Sequence, residues 1–238
     1  RHRLDAAVEE HHVVVEIGFP PLGEDEALGV VCTPDRARGR IPRRTTDTHK
    51  NRVGRVLVVG GSRGMAGAVV LAARSAFRAG AGLVRVATAE ENREIVQSTL
   101  PDAIQVGLEG GALEEAAAAS DAVAVGPGLG RDPEARRALE RVAGTGEAPL
   151  VLDADALNLA AEGVVDLADV AARRPLLITP HPGEMARLRP DSADADPLHA
   201  LRDAVEAFGC TVLLKGAPSL VGSPGRPVSF DTQSSSDL

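Results

Sequence analysis

Residues 56–79 read VLVVGGSRGMAGAVVLAARSAFRA, and this stretch decides the fold class. Val56–Val59 is a short, unbroken apolar run, which predicts a strand buried on both faces. Glycines follow at once, and Ala66–Ala79 is an alanine-rich segment with apolar residues on all sides, which predicts a buried helix. A strand, a tight glycine turn and a buried helix form the first half of a unit that builds parallel sheets.

The same alternation of apolar strands and helices continues to residue 214. Strands are predicted at Leu83–Ala87, Ala122–Val125, Leu150–Leu152, Leu176–Ile178 and Thr211–Leu214, and helices at Pro133–Val142 and Leu198–Phe208. This order predicts an α/β fold with a mainly parallel sheet that is covered on both faces. Ligands bind such sheets beyond the carboxyl ends of the strands, so the residues that follow each strand are the candidates for a site.

The composition excludes several classes of function. Acidic residues exceed basic ones in the 238-residue chain, and the formal charge of −8 argues against a nucleic-acid or anionic-membrane partner. Four phenylalanines and no tryptophan or tyrosine leave few platforms on which bases could stack. No apolar run reaches the ~20 residues of a membrane helix. The only two cysteines, Cys32 and Cys210, lie far apart in sequence and favour a reducing compartment, the cytoplasm.

Two glycine-rich turns follow predicted strands. They are Gly60–Ala68 and the Gly-Pro-Gly-Leu-Gly run at Gly126–Gly130. Backbone N–H groups in such turns can approach a phosphate or another polar ligand. The same glycines also permit tight turns and close packing, and the first turn lacks the spacing of the dinucleotide-binding fingerprint. Both interpretations stay open for the first turn, whereas the shared sheet edge favours ligand contact for the second.

Two further strand ends carry carboxylates. Asp153, Asp155 and Asn158 follow one strand, and sparse carboxylates of this kind suit Mg²⁺ and phosphate chemistry. In the alternative interpretation Asp155 caps the helix that follows. His181 and Glu184 follow the next strand, with Glu184 in the first turn of a predicted helix, where a carboxylate is favoured in any case. No second histidine is suitably placed, so a zinc site is excluded.

Lysine is rare in this chain. Arginines outnumber lysines by 24 to 2, so each lysine marks a candidate position at which a guanidinium does not substitute. Lys215 directly follows the strand Thr211–Leu214, and the hydroxyl of Ser219 lies four residues further on. A compact ammonium there suits a polyphosphate, while the alternative is a solvated lysine at a strand end. The arginine preference elsewhere favours the ligand role.

Taken in order, the segments VLVVGGSRGMAGA, RAGAGLV, GPGLG, VLDADALN, LITPHPGEM and VLLKGAPS resemble the ADP/ATP-dependent NAD(P)H-hydrate dehydratases, which have a ribokinase-like fold. The resemblance covers about residues 45–222. It implies a three-layer domain at residues 45–238 and an enzyme of metabolite repair. In this family a nucleoside phosphate phosphorylates the added hydroxyl of (S)-hydrated NADH or NADPH, and elimination of phosphate then regenerates NAD(P)H.

The resemblance also implies a role for each residue that matches a motif. The hydrated dinucleotide would contact Ala68, Gly128 or Gly130, and His181, with Asp153, Asp155 and Asn158 lining the site. ADP or ATP would bind at Lys215, Gly216, Ala217, Pro218 and Ser219, where the last position is usually threonine. Glu184 would organise Mg²⁺, by analogy with related kinases.

The two ends of the chain depart from the family pattern. Val13–Pro21 resembles the end of an NAD(P)H-hydrate epimerase domain, so we expect residues 1–44 to be the tail of a preceding, fused domain and its linker. The family's Gly-[Thr/Ser]-Gly-Asp segment, which supplies an anion hole and the expected base, is absent, and Ser234–Asp237 imitates it only superficially. We therefore expect the C-terminal part of the domain to be missing, turnover to fall by about 10²-fold or more for each lost group, and the exposed sheet to favour homo-oligomers.

Three other functions remain as alternatives. A ribokinase-like small-molecule kinase would phosphorylate an alcohol such as hydroxyethylthiazole without acting on hydrated NADH. A Rossmann oxidoreductase would use Glu90 for the ribose, but the glycine spacing and the Lys215-Gly216 pair disfavour it. A non-catalytic remnant would bind ADP without turnover.

Overall fold

The structure is a computed structural model that describes residues 29–39 and 54–231. Within those ranges ten strands form one sheet, in the order β1-β10-β9-β8-β7-β6-β5-β2-β3-β4. The strands are β1 Gly29–Val31, β2 Arg55–Val59, β3 Leu83–Thr88, β4 Ile104–Gly107, β5 Ala122–Val125, β6 Leu150–Leu152, β7 Leu176–Ile178, β8 Thr211–Leu214, β9 Ser219–Gly222 and β10 Val228–Asp231. Only β9 runs antiparallel to its neighbours, so the predicted mainly parallel sheet is confirmed.

Helices connect most of the parallel strands. They are α1 Pro34–Arg38, α2 Ala66–Ala79, α3 Arg93–Thr99, α4 Ala112–Ala118, α5 Pro133–Ala143, α6 Asp155–Ala161, α7 Leu167–Arg173, α8 Pro182–Leu188 and α9 Pro197–Phe208. Short 3₁₀ helices lie at Glu90–Asn92 and Pro190–Ser192. No helix in the described ranges is long and apolar enough to cross a membrane.

The sheet separates two apolar clusters of unequal size. Helices α4 to α9 pack on one face against buried side chains such as Leu57, Leu152 and Ile178. Helices α2 and α3 pack on the other face, against Val58 and Val86. The core is built from alanine, valine and leucine, which is what a chain almost without aromatic residues has available.

The second face is less completely covered beyond β5. Leu177, Leu213 and Val221 are only partly buried, whereas Ile178 is fully buried on the other face. This pattern agrees with the expected exposure of apolar sheet surface, and the expected homo-oligomer stays a prediction.

A buried arginine fastens the end of α5. Arg174 is 4% exposed, and its guanidinium donates hydrogen bonds to the carbonyl oxygens of Val142, Thr145 and Ala148. Burial lowers the pKa of this guanidinium from its usual value. The contacts join the last turn of α5, at Val142, to Thr145 and Ala148 in the segment that follows it.

The strand order creates a switch point between β2 and β5. The chain leaves β2 toward β3 and β4 on one side, returns to β5 on the other side of β2, and then continues to β6, β7 and β8. The loops after β2 and β5 therefore diverge at the same edge and open a crevice. In sheets of this kind ligands bind at that point.

The N-terminal strand lies within the segment predicted to precede the domain. Gly29–Val31 pairs in parallel with Val228–Phe230, so it is an edge strand of the main sheet, and the boundary after residue 44 stays a prediction. The predicted extended run His12–Ile17, the epimerase-like segment Val13–Pro21 and most of the linker lie outside the described residues. Ser234–Asp237 also lies outside them.

Candidate functional site

The two glycine turns meet at the switch point. The N–H of Gly61 donates to the carbonyl of Pro127 at 2.9 Å, and the N–H of Ser62 donates to the carbonyl of Gly128 at 2.5 Å. A Cβ on Gly60 would lie 2.2 Å from the Pro127 carbonyl oxygen, so only glycine permits this approach. The turns Gly60–Ala68 and Gly126–Gly130 thus form one continuous surface, the glycine wall, in which hydrogen bonds from one turn hold the other.

Three of the predicted dinucleotide contacts lie on this wall. A Cβ on Gly128 would be 3.0 Å from the Cβ of Ala68, and one on Gly130 would be 3.2 Å from the Cβ of Ser62. Ala68 belongs to the first turn of α2, whose first turn carries no acidic residue. The N-terminal N–H groups of a 14-residue helix favour an anion here.

The second glycine turn rests on the turn that follows β6. A Cβ on Gly126 would lie 1.8 Å from the carbonyl oxygen of Asp153, and Gly126 has φ 126°. Ala154 has φ 50°, a conformation that is costly for a residue with a Cβ. The close contact between these two turns places the side chains after β6 beside the glycine wall.

Asp155 and Asn158 take structural partners in this arrangement. The Asp155 carboxylate accepts a hydrogen bond of 2.9 Å from the N–H of Gly130, and Ala154 occupies the N-cap position of α6. The alternative in which Asp155 caps that helix is therefore wrong, because its carboxylate fastens the glycine turn instead. The Asn158 amide oxygen accepts a hydrogen bond from Arg187 at 2.8 Å. The ligand roles of Asp155 and Asn158 stay predictions.

Asp153 and Lys215 meet across the sheet edge. The ammonium of Lys215 donates to the Asp153 carboxylate at 2.5 Å, although β7 lies between their strands. The N–H of Lys215 also donates to the carbonyl of Pro180, which fixes the backbone of the motif. The side chains are 43% and 33% exposed, so the pair is open to solvent and to an incoming ligand.

His181 and Glu184 form the start of α8. His181 occupies the N-cap position, its Nδ1 accepts from the N–H of Gly183 at 3.0 Å, and Glu184 Oε2 accepts from the N–H of His181 at 2.9 Å. The Nε2 of His181 lies 3.5 Å from Glu184 Oε1. The imidazole is half exposed, so it can serve the helix and still contact a ligand. Glu184 is 6% exposed and both of its carboxylate oxygens lie near His181, so its Mg²⁺ role stays a prediction.

The Lys215–Ser219 motif borders a cavity of its own. The hydroxyl of Ser219 donates to the carbonyl of Gly216 at 2.9 Å and closes the turn between β8 and β9. A cavity of about 470 Å³ lies beside this turn, with Lys215, Pro218, Leu198, Met185 and Phe230 among its lining residues. Its walls are mostly apolar, with the ammonium at one side.

Sequence reasoning missed the two residues that hold the first glycine turn. Thr88 and Asn92 are 5% and 2% exposed, and both donate to the carbonyl of Gly61, at 2.7 Å and 2.6 Å. The available signal was a threonine and an asparagine directly after an apolar strand beside the glycine turn. Nothing in the periodicity distinguishes them from ordinary loop residues.

The described residues contain no group of three or more histidine, cysteine, aspartate or glutamate side chains placed to hold a metal ion. Mg²⁺ commonly binds through one or two carboxylates together with substrate phosphates and water. The carboxylates at this edge, Asp153 and Glu184, suit that second arrangement.

Comparison with known proteins finds relatives that are NAD(P)H-hydrate repair enzymes by name. A family model described as NAD(P)H-hydrate dehydratase matches residues 56–238. The bifunctional NAD(P)H-hydrate repair enzyme of Salinibacter ruber is 41% identical over 234 residues, which cover 90% of this chain and 43% of that protein. The corresponding enzyme of Escherichia coli is 39% identical over 185 residues, covering 76% and 34%. The chain thus spans less than half the length of these relatives.

Solved structures share the same fold. A ribokinase-like superfamily protein of Enterococcus faecalis matches with a TM-score of 0.79 and 26% identity, covering 90% of this chain and 74% of that one. The ADP/ATP-dependent NAD(P)H-hydrate dehydratase of Bacillus subtilis, co-crystallised with ATP and Mg²⁺, matches with a TM-score of 0.74 and 25% identity, covering 87% and 74%. The predicted ribokinase-like α/β fold is confirmed.

Proposed function

The chain belongs to the NAD(P)H-hydrate dehydratase family, and we propose that it dehydrates the S epimer of hydrated NADH or NADPH with ADP or ATP as the phosphoryl donor. One observation carries the proposal furthest. The glycine wall at the switch point and the Asp153–Lys215 pair occupy the same sheet edge, so a dinucleotide and a nucleoside phosphate can lie side by side.

The chemistry explains why two ligands are needed. Hydroxide is a poor leaving group and phosphate is a good one. In the first step the substrate hydroxyl oxygen bonds to the terminal phosphorus, the bond to the departing nucleoside phosphate breaks, and the hydroxyl proton is lost. In the second step the carbon–oxygen bond breaks as phosphate leaves, and a proton lost from the neighbouring carbon restores the double bond. Both steps depend on positioning and on neutralised charge.

The hydrated dinucleotide lies, in this proposal, along the glycine wall. Ala68, Gly128 and Gly130 offer close backbone approach, and the N-terminal end of α2 favours the pyrophosphate. His181 is half exposed at the same edge, so its imidazole can contact the dinucleotide, with Nδ1 accepting from the N–H of Gly183 and Nε2 3.5 Å from Glu184 Oε1. Asp153, Asp155 and Asn158 complete the surroundings, with Asp155 acting through the turn that it holds.

The nucleoside phosphate occupies the Lys215–Ser219 turn. Lys215 takes the phosphates with its ammonium, Gly216 and Ala217 provide close backbone approach, and Pro218 and Ser219 shape the turn. The apolar cavity beside the turn receives the base and ribose, since its volume of about 470 Å³ is in the usual range for small-molecule sites.

Mg²⁺ would accompany the nucleotide phosphates. Asp153 and Glu184 would hold it, and the ion would neutralise the charge that phosphoryl transfer develops. In the ligand-free protein Lys215 supplies the charge that balances Asp153. With the nucleotide bound, the Asp153 carboxylate would be available to Mg²⁺ and the Lys215 ammonium to phosphate.

The relatives' names support one further proposal about organisation. They describe bifunctional repair enzymes, and this chain matches less than half of their length. We propose that residues up to about 28 belong to a fused epimerase-like domain, with Gly29–Val31 already part of the dehydratase sheet. The intact mass of the protein isolated from its natural source tests this organisation.

A competition titration tests the two-ligand site. The protein is titrated with (S)-hydrated NADPH in the absence and presence of saturating ADP and Mg²⁺, with calorimetry as the readout. We expect one dinucleotide per chain in both titrations, because the two ligands occupy neighbouring places. Displacement of one ligand by the other, or failure of the dinucleotide to bind, would refute the proposal. Arg226→Met, which removes a positive charge from the opposite sheet edge, is the control variant.

A further inference from the structure

Asn92 lies behind the glycine wall and is buried to 2% exposure. It ends the 3₁₀ helix Glu90–Asn92, which follows β3, the neighbour of β2. Its amide nitrogen lies 2.6 Å from the carbonyl oxygen of Gly61, 3.0 Å from that of Ser62 and 3.1 Å from the hydroxyl of Thr88. The Asn92 amide nitrogen thus lies within hydrogen-bond distance of two consecutive carbonyl oxygens of the first glycine turn.

The same two residues are held from the other side by the second turn. The N–H groups of Gly61 and Ser62 donate to the carbonyls of Pro127 and Gly128. Thr88 adds a hydroxyl hydrogen bond to the Gly61 carbonyl at 2.7 Å. The segment is therefore fixed through its carbonyls by Asn92 and through its amides by the carbonyls of Pro127 and Gly128.

We infer that Asn92 is a positioning residue for the dinucleotide half of the site, acting through Gly61 and Ser62 on Gly128. The inference rests on the proposed function, because it assigns the glycine wall to the hydrated dinucleotide. Asn92 does not touch the substrate. It fixes the position and orientation of the backbone in the glycine wall. A small displacement of backbone groups that face a ligand lowers the affinity for that ligand steeply.

The inference predicts a selective effect. Lys215 follows β8, and β6 and β7 separate that strand from β5. Loss of the Asn92 contacts therefore weakens binding of the dinucleotide and leaves the affinity for ADP unchanged. If Asn92 only stabilised the fold, its loss would weaken the binding of both ligands together.

Two substitutions at this position and one matched control make the test. Asn92→Ala removes the donors, and Asn92→Asp replaces them with a carboxylate that only accepts when ionised, in front of three oxygen atoms. The control is Ser98→Ala, which removes a side-chain hydrogen bond to the Ile95 carbonyl on the exposed side of α3, away from the glycine wall. Dissociation constants are measured for (S)-hydrated NADPH and for ADP with Mg²⁺.

We expect Asn92→Ala to weaken binding of the hydrated dinucleotide by about tenfold or more and Asn92→Asp to weaken it further. Both variants should keep the wild-type affinity for ADP. Hydrogen exchange at the Gly61 and Ser62 amides should accelerate in both variants and not in Ser98→Ala. Retained ADP affinity also shows that a variant is folded.

The outcomes separate this inference from the proposed function. Equal dinucleotide affinity in wild type and both Asn92 variants, or a parallel loss for dinucleotide and ADP, overturns the positioning role and leaves the proposed function intact. A wild-type protein that binds ADP but no hydrated dinucleotide overturns the proposed function and the inference with it. Accelerated amide exchange with a loss confined to the dinucleotide supports the inference.

Discussion

Replacement of Lys215 by methionine removes the lysine ammonium that the structure places at the site edge and keeps most of the side chain's apolar volume. Its partner Asp153 is 33% exposed and Lys215 is 43% exposed, so water can hydrate the carboxylate that is left behind. Exposed ion pairs contribute roughly 0.2–1 kcal/mol, so we expect the melting temperature to fall by no more than a few degrees. A hydrogen bond from a charged group contributes about 1.5–3 kcal/mol. At 1.4 kcal/mol per factor of ten, ADP affinity should fall roughly 10- to 100-fold.

The assay is calorimetric titration with ADP and Mg²⁺, together with thermal unfolding of the same samples. Arg226→Met is the matched control, because it removes one positive charge from the opposite edge of the sheet. Lys215→Arg asks whether charge alone suffices. We expect it to bind ADP more weakly than wild type, since a guanidinium pairs with Asp153 through two parallel bonds and is less free to turn to phosphate. Unchanged ADP affinity in Lys215→Met, or an equal loss in Arg226→Met, would refute the assignment of the nucleotide to this turn.

Three further predictions test the fold and its electrostatics. Gly126→Ala should lower the free energy of unfolding, measured by urea titration, by more than about 2 kcal/mol, because its Cβ would meet the Asp153 carbonyl oxygen at 1.8 Å. Gly225→Ala, with open space around it, should lower it by about 1 kcal/mol. At pH 8 a thiol reagent should modify exposed Cys32 quickly and Cys210 only after denaturation, because burial raises the pKa of Cys210 to about 12; two fast thiols in the native protein would contradict the packing. The hydrogen bonds from Arg55 lower the pKa of Asp121 to about 2, so Asp121→Asn should melt below wild type at neutral pH, and the difference should shrink as the pH falls from about 4 through 2; a difference of undiminished size at pH 2 would exclude this ion pair as its source.

The sheet was largely predictable because its central strands are short apolar runs bounded by glycine, aspartate or lysine. Ala122–Val125, Leu150–Leu152 and Leu176–Ile178 agree with the structure at both ends, as does the helix Ala66–Ala79. Every position in these runs is apolar, which marks them as strands even though one face of each is only partly buried.

The peripheral strands carried no such signal. Ser219–Gly222 and Val228–Asp231 mix polar and apolar residues because one of their faces is only partly covered, and Gly29–Val31 gains its place by pairing with a strand 199 positions later in the register. Ile104–Gly107 is also an edge strand with partly exposed side chains. Such pairings depend on tertiary context rather than on local pattern.

The residues of the candidate site could be predicted from the sequence, but their positions relative to one another could not. Strand ends pointed to Asp153 and Lys215 separately, yet their direct contact requires the order of β6, β7 and β8, which apolar runs of equal character do not encode. Asp155 was ambiguous for a similar reason: its partner, the N–H of Gly130, lies 25 residues away on another turn. Asn92 was missed because its importance lies in the carbonyl groups that it meets.

The most direct test of the account is a single-turnover dehydration assay. Protein in excess over (S)-hydrated NADPH is mixed with Mg²⁺ and either ADP or ATP, and the return of reduced-nicotinamide absorbance is followed over time. Excess protein confines the measurement to one turnover. We expect a return of absorbance that requires the nucleotide and that Lys215→Met impairs. No return in a protein that demonstrably binds both ligands, or a return at the same rate without nucleotide, would contradict it.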